Sequence, residues 1–176
     1  MNRKLGLAMT VLVALTLSAC GTNKKNDTAA ENTQPVKTEP AVDPSTQPAY
    51  GTRYTVSELA NRFGINGDPL QYKVLYFEYN SSAIDERSTI IATRHAQHLG
   101  SNGGARVNLE GHADERGTRD FNLALGERRA QTVAQLMSSA GANSTIQTIS
   151  YGEERPVDTA HNEAAWQSNR RVEIKY

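Results

Sequence analysis

The chain has a single cysteine, Cys20. One thiol allows neither an intrachain disulfide nor a multi-cysteine metal cluster. It also has no surplus of either charge, since Lys plus Arg and Asp plus Glu each number 19. Nucleic-acid binders cluster basic side chains on one face to replace the counterions that phosphates condense, so this balance argues against a nucleic-acid partner. No HExxH or GxSxG signature is present, and the one long apolar run, Leu5 to Leu17, is shorter than the roughly 18 to 25 residues that cross a bilayer.

That run is informative by its setting. Asn2-Arg3-Lys4 precedes it and Leu17-Ser18-Ala19-Cys20 closes it, the pattern of a secretory signal over residues 1–19. The string LSAC resembles the lipobox of bacterial lipoproteins, which implies that Cys20 becomes the lipid-bearing residue. Several acyl chains on one residue hold a protein stably at a membrane where one chain does so only marginally. Gly21 stands where a rule for inner-membrane retention in enteric-type lipoproteins asks for Asp. By that resemblance the destination is the outer membrane, with the remainder of the chain in the periplasm.

Residues 20–49 contain no aromatic side chain before the boundary and no apolar period, and Pro35, Pro40, Pro44 and Pro48 punctuate their second half. Such a segment cannot bury enough surface to offset its ordering entropy and reads as a disordered tether. As a coil of ~30 residues it spans about 30 Å, and drawn straight roughly 100 Å. Residues 50–71 are intermediate: Tyr54, Val56, Leu59 and Phe63 suit a short amphipathic helix that Gly64 and Gly67-Asp68-Pro69 stop, expected to pack loosely on the domain or hang from it.

Residues 72–176 carry the periodicities of an α/β domain. Tyr72 to Tyr79 reads as a strand. Asp85 offers a cap to a helix with Ile84, Ile91, His95 and Leu99 at helical spacing, and Arg106 to Glu110 alternates Val107 and Leu109 inward. The strongest helix covers Phe121 to Ala140, with Asp120 as candidate cap, Leu123, Ala130, Val133, Ala134 and Met137 as its apolar stripe and Gly141 as its stop. A strand from about Ile146 to Tyr151, a short helix over Asn162 to Ser168 and a final, edge-like strand from Arg171 to Tyr176 follow. The order β-α-β-α-β-(α)-β implies an α+β sandwich, with helices packed on a four-stranded mixed sheet.

The strings YFEYN, VNLEGHADERGTRDFNLALGERRA, SYGEERP and NEAAWQSNRRVEIKY resemble the OmpA C-terminal-like domain, and GHADERGT…N.ALGERRA is similar to its peptidoglycan-associated lipoprotein branch. The resemblance covers about Tyr72 to Tyr176, with lipobox and tether in the arrangement of that family. It implies non-covalent binding of the meso-diaminopimelate residue of the peptidoglycan stem peptide, whose far end bears an ammonium and a carboxylate on one carbon. Carried over residue by residue, Asp114 receives the ammonium, Arg129 the carboxylate through its planar fork, Asn122 satisfies remaining polar atoms, and Tyr79 and Asn80 wall the pocket. Asn80 stands where the branch often has Asp, and Phe121 where Tyr is common.

The residues by themselves point to the same place. A polar loop from His112 to Gly117 lies between a strand end and a long helix. Asn122 and Arg129, two turns apart, share a helix face from which Arg128 points away. The arginines there, Arg116, Arg119, Arg128 and Arg129, are matched by Asp114, Glu115, Asp120 and Glu127, a balance suited to a zwitterion. Arg170 and Arg171 are expected to be structural and outside the site. His95 is expected in the core, His98 and His161 at the surface.

Neither catalysis, a cofactor nor a metal is expected. The best enzymatic alternative pairs His112 with Asp114 or Glu115, but lacks the third ligand or the positioned nucleophile that such sites need. A second alternative, implied by the resemblance, is a module that docks a periplasmic TolB-like partner, alone or with other Tol-Pal components, through a surface overlapping the peptidoglycan site.

Overall fold

A computed structural model describes residues 49–103 and 105–176. The signal segment, Cys20 and nearly all of the tether expected above lie outside the described residues. The elements run α1 (Val56–Phe63), a 3-10 turn (Pro69–Gln71), β1 (Val74–Tyr76), α2 (Glu86–Ser101), β2 (Arg106–His112), α3 (Arg119–Ser139), β3 (Thr145–Gly152), α4 (Glu163–Asn169) and β4 (Arg171–Lys175). The four strands form one mixed sheet in the order β1-β4-β2-β3. β4 is antiparallel to both of its neighbours, while β2 and β3 are parallel, as a helical crossover such as α3 requires.

Alternation along the central strands sets the core. Val107 and Leu109 of β2 and Val172 and Ile174 of β4 are fully buried, under Ile91 and Leu99 of α2 and Ala130, Val133 and Met137 of α3. Each large apolar side chain so buried contributes roughly 1.5–3 kcal/mol. α3 comes closest to the sheet at two glycines. A Cβ on Gly111 would lie 2.0 Å from the carbonyl oxygen of Gly126, and one on Gly126 would lie 2.4 Å from Ser150 Oγ. Glycine at both positions lets helix backbone rest against strand, which brings the first turns of α3 down to the end of β2.

The architecture is the one the periodicity implies, with differences that have physical causes. The first strand is only Val74–Tyr76. Phe77 still donates its N–H to the Arg170 carbonyl, but Asn80 then takes a left-handed conformation (φ 50°), which Asn tolerates better than most residues and which turns the chain off the sheet. Asp85 caps α2 as expected, accepting from the Ser88 N–H. α3 is capped not by Asp120 but by Thr118, whose hydroxyl accepts from the Phe121 N–H. Leu123 is exposed and Leu125 buried, because the inward stripe of α3 runs through Asn122, Leu125, Gly126, Arg129, Ala130, Val133 and Met137.

The strand Arg171–Lys175 is interior, not an edge. Its alternate charges, Glu173 and Lys175, lie opposite the inward Val172 and Ile174, and alternation alone does not separate an open sheet face from a free sheet edge. Residues 50–71 are also more firmly held than expected: Tyr54, Leu59 and Ile65 belong to the main core. A capping box between Thr55 and Glu58 starts α1, Arg87 donates to the Phe63 carbonyl, and Arg94 makes a two-bonded pair with Asp68. His95 is buried, with its ring nitrogens on Tyr176 Oη and the Tyr72 carbonyl. His161 is exposed, whereas His98 is half-buried beside Tyr176.

Candidate functional site

Three segments meet at the end of the sheet nearest the first turn of α3: the turn after β1, the loop after β2, and α3 itself. Tyr79, Asn80, Asp114, Asn122 and Arg129 all line one cleft there, together with Arg116, Phe121 and Leu125. The cleft is nearly shut. Its free volume is about 10 Å³, room for roughly one water.

Arg129 is fully buried. Nε donates to the Ser81 carbonyl (2.8 Å), Nη1 to that of His112 (2.7 Å) and Nη2 to that of Glu78 (3.0 Å), so one guanidinium ties the turn after β1 to the end of β2. Burial, and secondarily the charge of Arg170, lower its pKa to about 10, and it stays cationic at neutral pH. Three of its five N–H groups are used, all on neutral carbonyls. Among the described residues no carboxylate lies within ion-pairing distance of it.

Asp114, 4% exposed, is the opposite charge. Oδ1 accepts from the Arg116 backbone N–H (3.0 Å) and Nε (3.3 Å), and Oδ2 from Arg116 Nη2 (2.7 Å) and Arg170 Nη1 (3.2 Å). Burial pushes its pKa up, but the bonds from Arg116 and Arg170 outweigh that and hold it below the usual carboxylate range. Asp114 therefore pairs with Arg116 and Arg170, and not with Arg129.

Asn122, 1% exposed, donates to Glu153 from the loop after β3 and plays no capping role. Tyr79 is exposed, with its ring 4.1 Å from the Arg116 guanidinium. The ring of Trp166, whose indole N–H donates to Glu115, is also close to that guanidinium, at 4.2 Å. Cys20 lies outside the described residues.

Arg170 has the structural part expected of it, and its partner is the carboxylate of Asp114. It is buried, bonds Asp114 directly, donates Nε to the Phe77 carbonyl (3.0 Å) and reaches Glu163 (2.7 Å) and Gln167. Its position beside a charged strand gives no sign of this, because the contact spans 56 residues. Arg171 remains outside the cleft, turned to Glu173. His112 does not face Asp114 or Glu115. Its ring is buried beside Tyr151, 3.9 Å from Glu173, with both nitrogens unbonded. Burial is the main cause that drops its pKa to about 4.

The cleft thus holds one buried carboxylate and one buried cation, each anchored from its own segment. Such a pair is complementary in charge to a group that itself carries an ammonium and a carboxylate.

Residues 76–170 match the model of the OmpA family. A peptidoglycan-associated lipoprotein of Pseudomonas putida is 35% identical over 98% of this chain and 97% of its own length. The one of Pseudomonas aeruginosa is 48% identical over 57% of this chain, and that match spans 60% of the relative. Among solved structures, the peptidoglycan-associated lipoprotein of Burkholderia pseudomallei superposes with a TM-score of 0.59 at 34% identity, over 62% of this chain and 94% of that one. The C-terminal domain of Helicobacter pylori MotB, at 23% identity and a TM-score of 0.54 over 59% of this chain and 83% of that one, shares the fold.

Proposed function

We propose, from the premise that this chain belongs to the OmpA family and within it to the peptidoglycan-associated lipoproteins, that its cleft binds the diaminopimelate-containing stem peptide of peptidoglycan. Asp114 takes the ammonium of the diaminopimelate head group and Arg129 its carboxylate, with Asn122, Asn80 and Tyr79 around them. The observation that carries this reading is the buried, charged Arg129 with no carboxylate partner among the described residues. A ligand carboxylate supplies the missing counter-charge. A lysine-type stem peptide offers an ammonium without that carboxylate.

In this reading Cys20 carries lipid in the outer membrane, residues 20–49 are the tether, and the domain holds the membrane to the wall by binding, without catalysis. A weak contact per copy suffices, because tethered copies facing a repeating polymer gain effective concentration. Co-sedimentation of the full chain in detergent with diaminopimelate-type and lysine-type peptidoglycan is the test. Retention is expected on the first only, and to be lost on Asp114→Ala or Arg129→Ala. Equal pelleting with both polymers contradicts the assignment.

Docking of a periplasmic TolB-like protein, as part of a Tol-Pal system, is a second role compatible with the first. What favours it is an aromatic rim at the cleft: Tyr79 and Phe121, which line it, are 57% and 42% exposed, more than a peptide head group needs. A pulldown of such a partner, with soluble stem peptide as competitor, is expected to show mutual exclusion. Simultaneous binding places the two surfaces apart.

A further inference from the structure

A carboxylate offers about four acceptor positions, and in this structure all four on Asp114 are taken. A ligand ammonium reaches Asp114 only by displacing one of these donors. The Arg116 backbone N–H is fixed by its loop. Arg170 is 3% exposed and is further bonded to the Phe77 carbonyl, Glu163 and Gln167. Only the Arg116 side chain, 29% exposed, is free to leave.

A second position awaits it. Glu163 Oε2 is already 3.4 Å from Arg116 Nη1 and belongs to a carboxylate that is 63% exposed. The guanidinium lies 4.1 Å from the centre of the Tyr79 ring and 4.2 Å from that of Trp166, and a cation keeps its attraction to such rings over any position within about 6 Å. Trp166 is held in place through its bond to Glu115, which also accepts from His161. Arg116 therefore has two carboxylates within reach, one inside the cleft and one at its rim, and a guide between them.

We infer that Arg116 is the latch of the cleft. It closes the site by occupying Asp114 and opens it by passing to Glu163 when the ligand ammonium takes its place. This inference rests on the reading of the cleft as a diaminopimelate site and adds to it how that site is gated. The described conformation is then the closed one, consistent with the near absence of free volume between the lining residues. A site that must open before binding is filled more slowly in proportion to its open fraction. An open population of about 10% costs roughly tenfold in apparent association.

Trp166 is the only tryptophan in the chain and touches the latch, so its emission reports the movement. The experiment is stopped-flow fluorescence, with calorimetry in parallel, on the full chain in detergent mixed with the isolated stem tripeptide ending in meso-diaminopimelate. The wild type is expected to show an emission change on binding. Arg116→Met, which keeps the apolar stem, is expected to bind without that change and, in surface plasmon resonance run beside the wild type, to associate about tenfold faster, with Arg116→Lys in between. Calorimetric binding by the wild type with unchanged Trp166 emission overturns the latch and leaves the site assignment standing. Wild-type association rates in Arg116→Met, with faster dissociation, make Arg116 an ordinary contact and also overturn it. No heat with the wild type sinks the site assignment and the latch together.

Discussion

The two halves of α3 turn one continuous stripe toward the sheet and fill it with opposite chemistry. In the C-terminal half the stripe is Ala130, Val133 and Met137, all fully buried against the apolar core. In the N-terminal half it is Asn122, Leu125, Gly126 and Arg129, equally withdrawn from water yet mostly polar or lacking a side chain. The first half is held by area removed from water, the second by hydrogen bonds whose partners must all be present. Where a helix buries polar groups on its core-facing stripe, something other than stability has chosen them.

The sharpest way to break this contrast is Arg129→Met, which leaves the buried carbonyl of His112 and the partly buried ones of Ser81 and Glu78 without their donor. At 1–3 kcal/mol for each stranded group, a loss of about 4 kcal/mol is expected in urea unfolding, together with loss of stem-peptide binding. Met137→Ala, in the other half, is expected to cost about 3 kcal/mol, mainly through the cavity it leaves. Stem-peptide affinity, measured by calorimetry on the folded protein, should stay at the wild-type value. A comparable loss of affinity from both substitutions would erase the distinction between the halves.

Acid probes the end of β2, where His112 is buried. His112 has a pKa of about 4 in the fold against the ordinary 6.5 of a solvated imidazole, so in that window the unfolded chain binds the proton and the folded one does not. Stability is therefore complete above about pH 6.5 and falls as the pH approaches 4, by about 2 kcal/mol between pH 7 and 5. Denaturant unfolding across that range should show the slope in the wild type and a shallower one in His112→Phe, the remainder coming from His95, whose pKa burial also lowers. The smallest effect separates two neighbouring candidates for the start of α3. Thr118→Ala removes the observed cap and is expected to cost about 1 kcal/mol, whereas Asp120→Ala loses only a first-turn charge, worth about 0.5 kcal/mol. The reverse order in thermal unfolding contradicts the cap assignment.

The same contrast explains which parts of the molecule are legible without coordinates. Val107 and Leu109, Ile91 and Leu99, and Val133 and Met137 follow periods of two and of 3.6, so strands, helices and core follow from spacing. Leu123 misleads because it keeps the apolar spacing of the C-terminal half, seven residues before Ala130, while the buried positions of the first turns are given to Asn122, Gly126 and Arg129. The five residues that the family pattern places around a ligand do line one cleft. Arg170 escapes notice because nothing near it in the chain announces a bond to Asp114, and the lead-in segment because its anchors, Glu86, Arg87 and Arg94, are set by contacts 24 to 33 residues away.

Taken alone, the amino-acid order determines the kinds and succession of elements, the family, and the residue types from which a charged site is built, because these depend on local periodicity and on a matching string of side chains. Tertiary structure alone decides which charges meet. Asp114 is bound by Arg116 and Arg170 while Arg129 spends its bonds on carbonyls, since partners are fixed by the approach of α3 at Gly111 and Gly126 and by the ordering of β4 inside the sheet. Electrostatic pairing depends on distance in space and on burial, and neither is written in the spacing of residues along the chain.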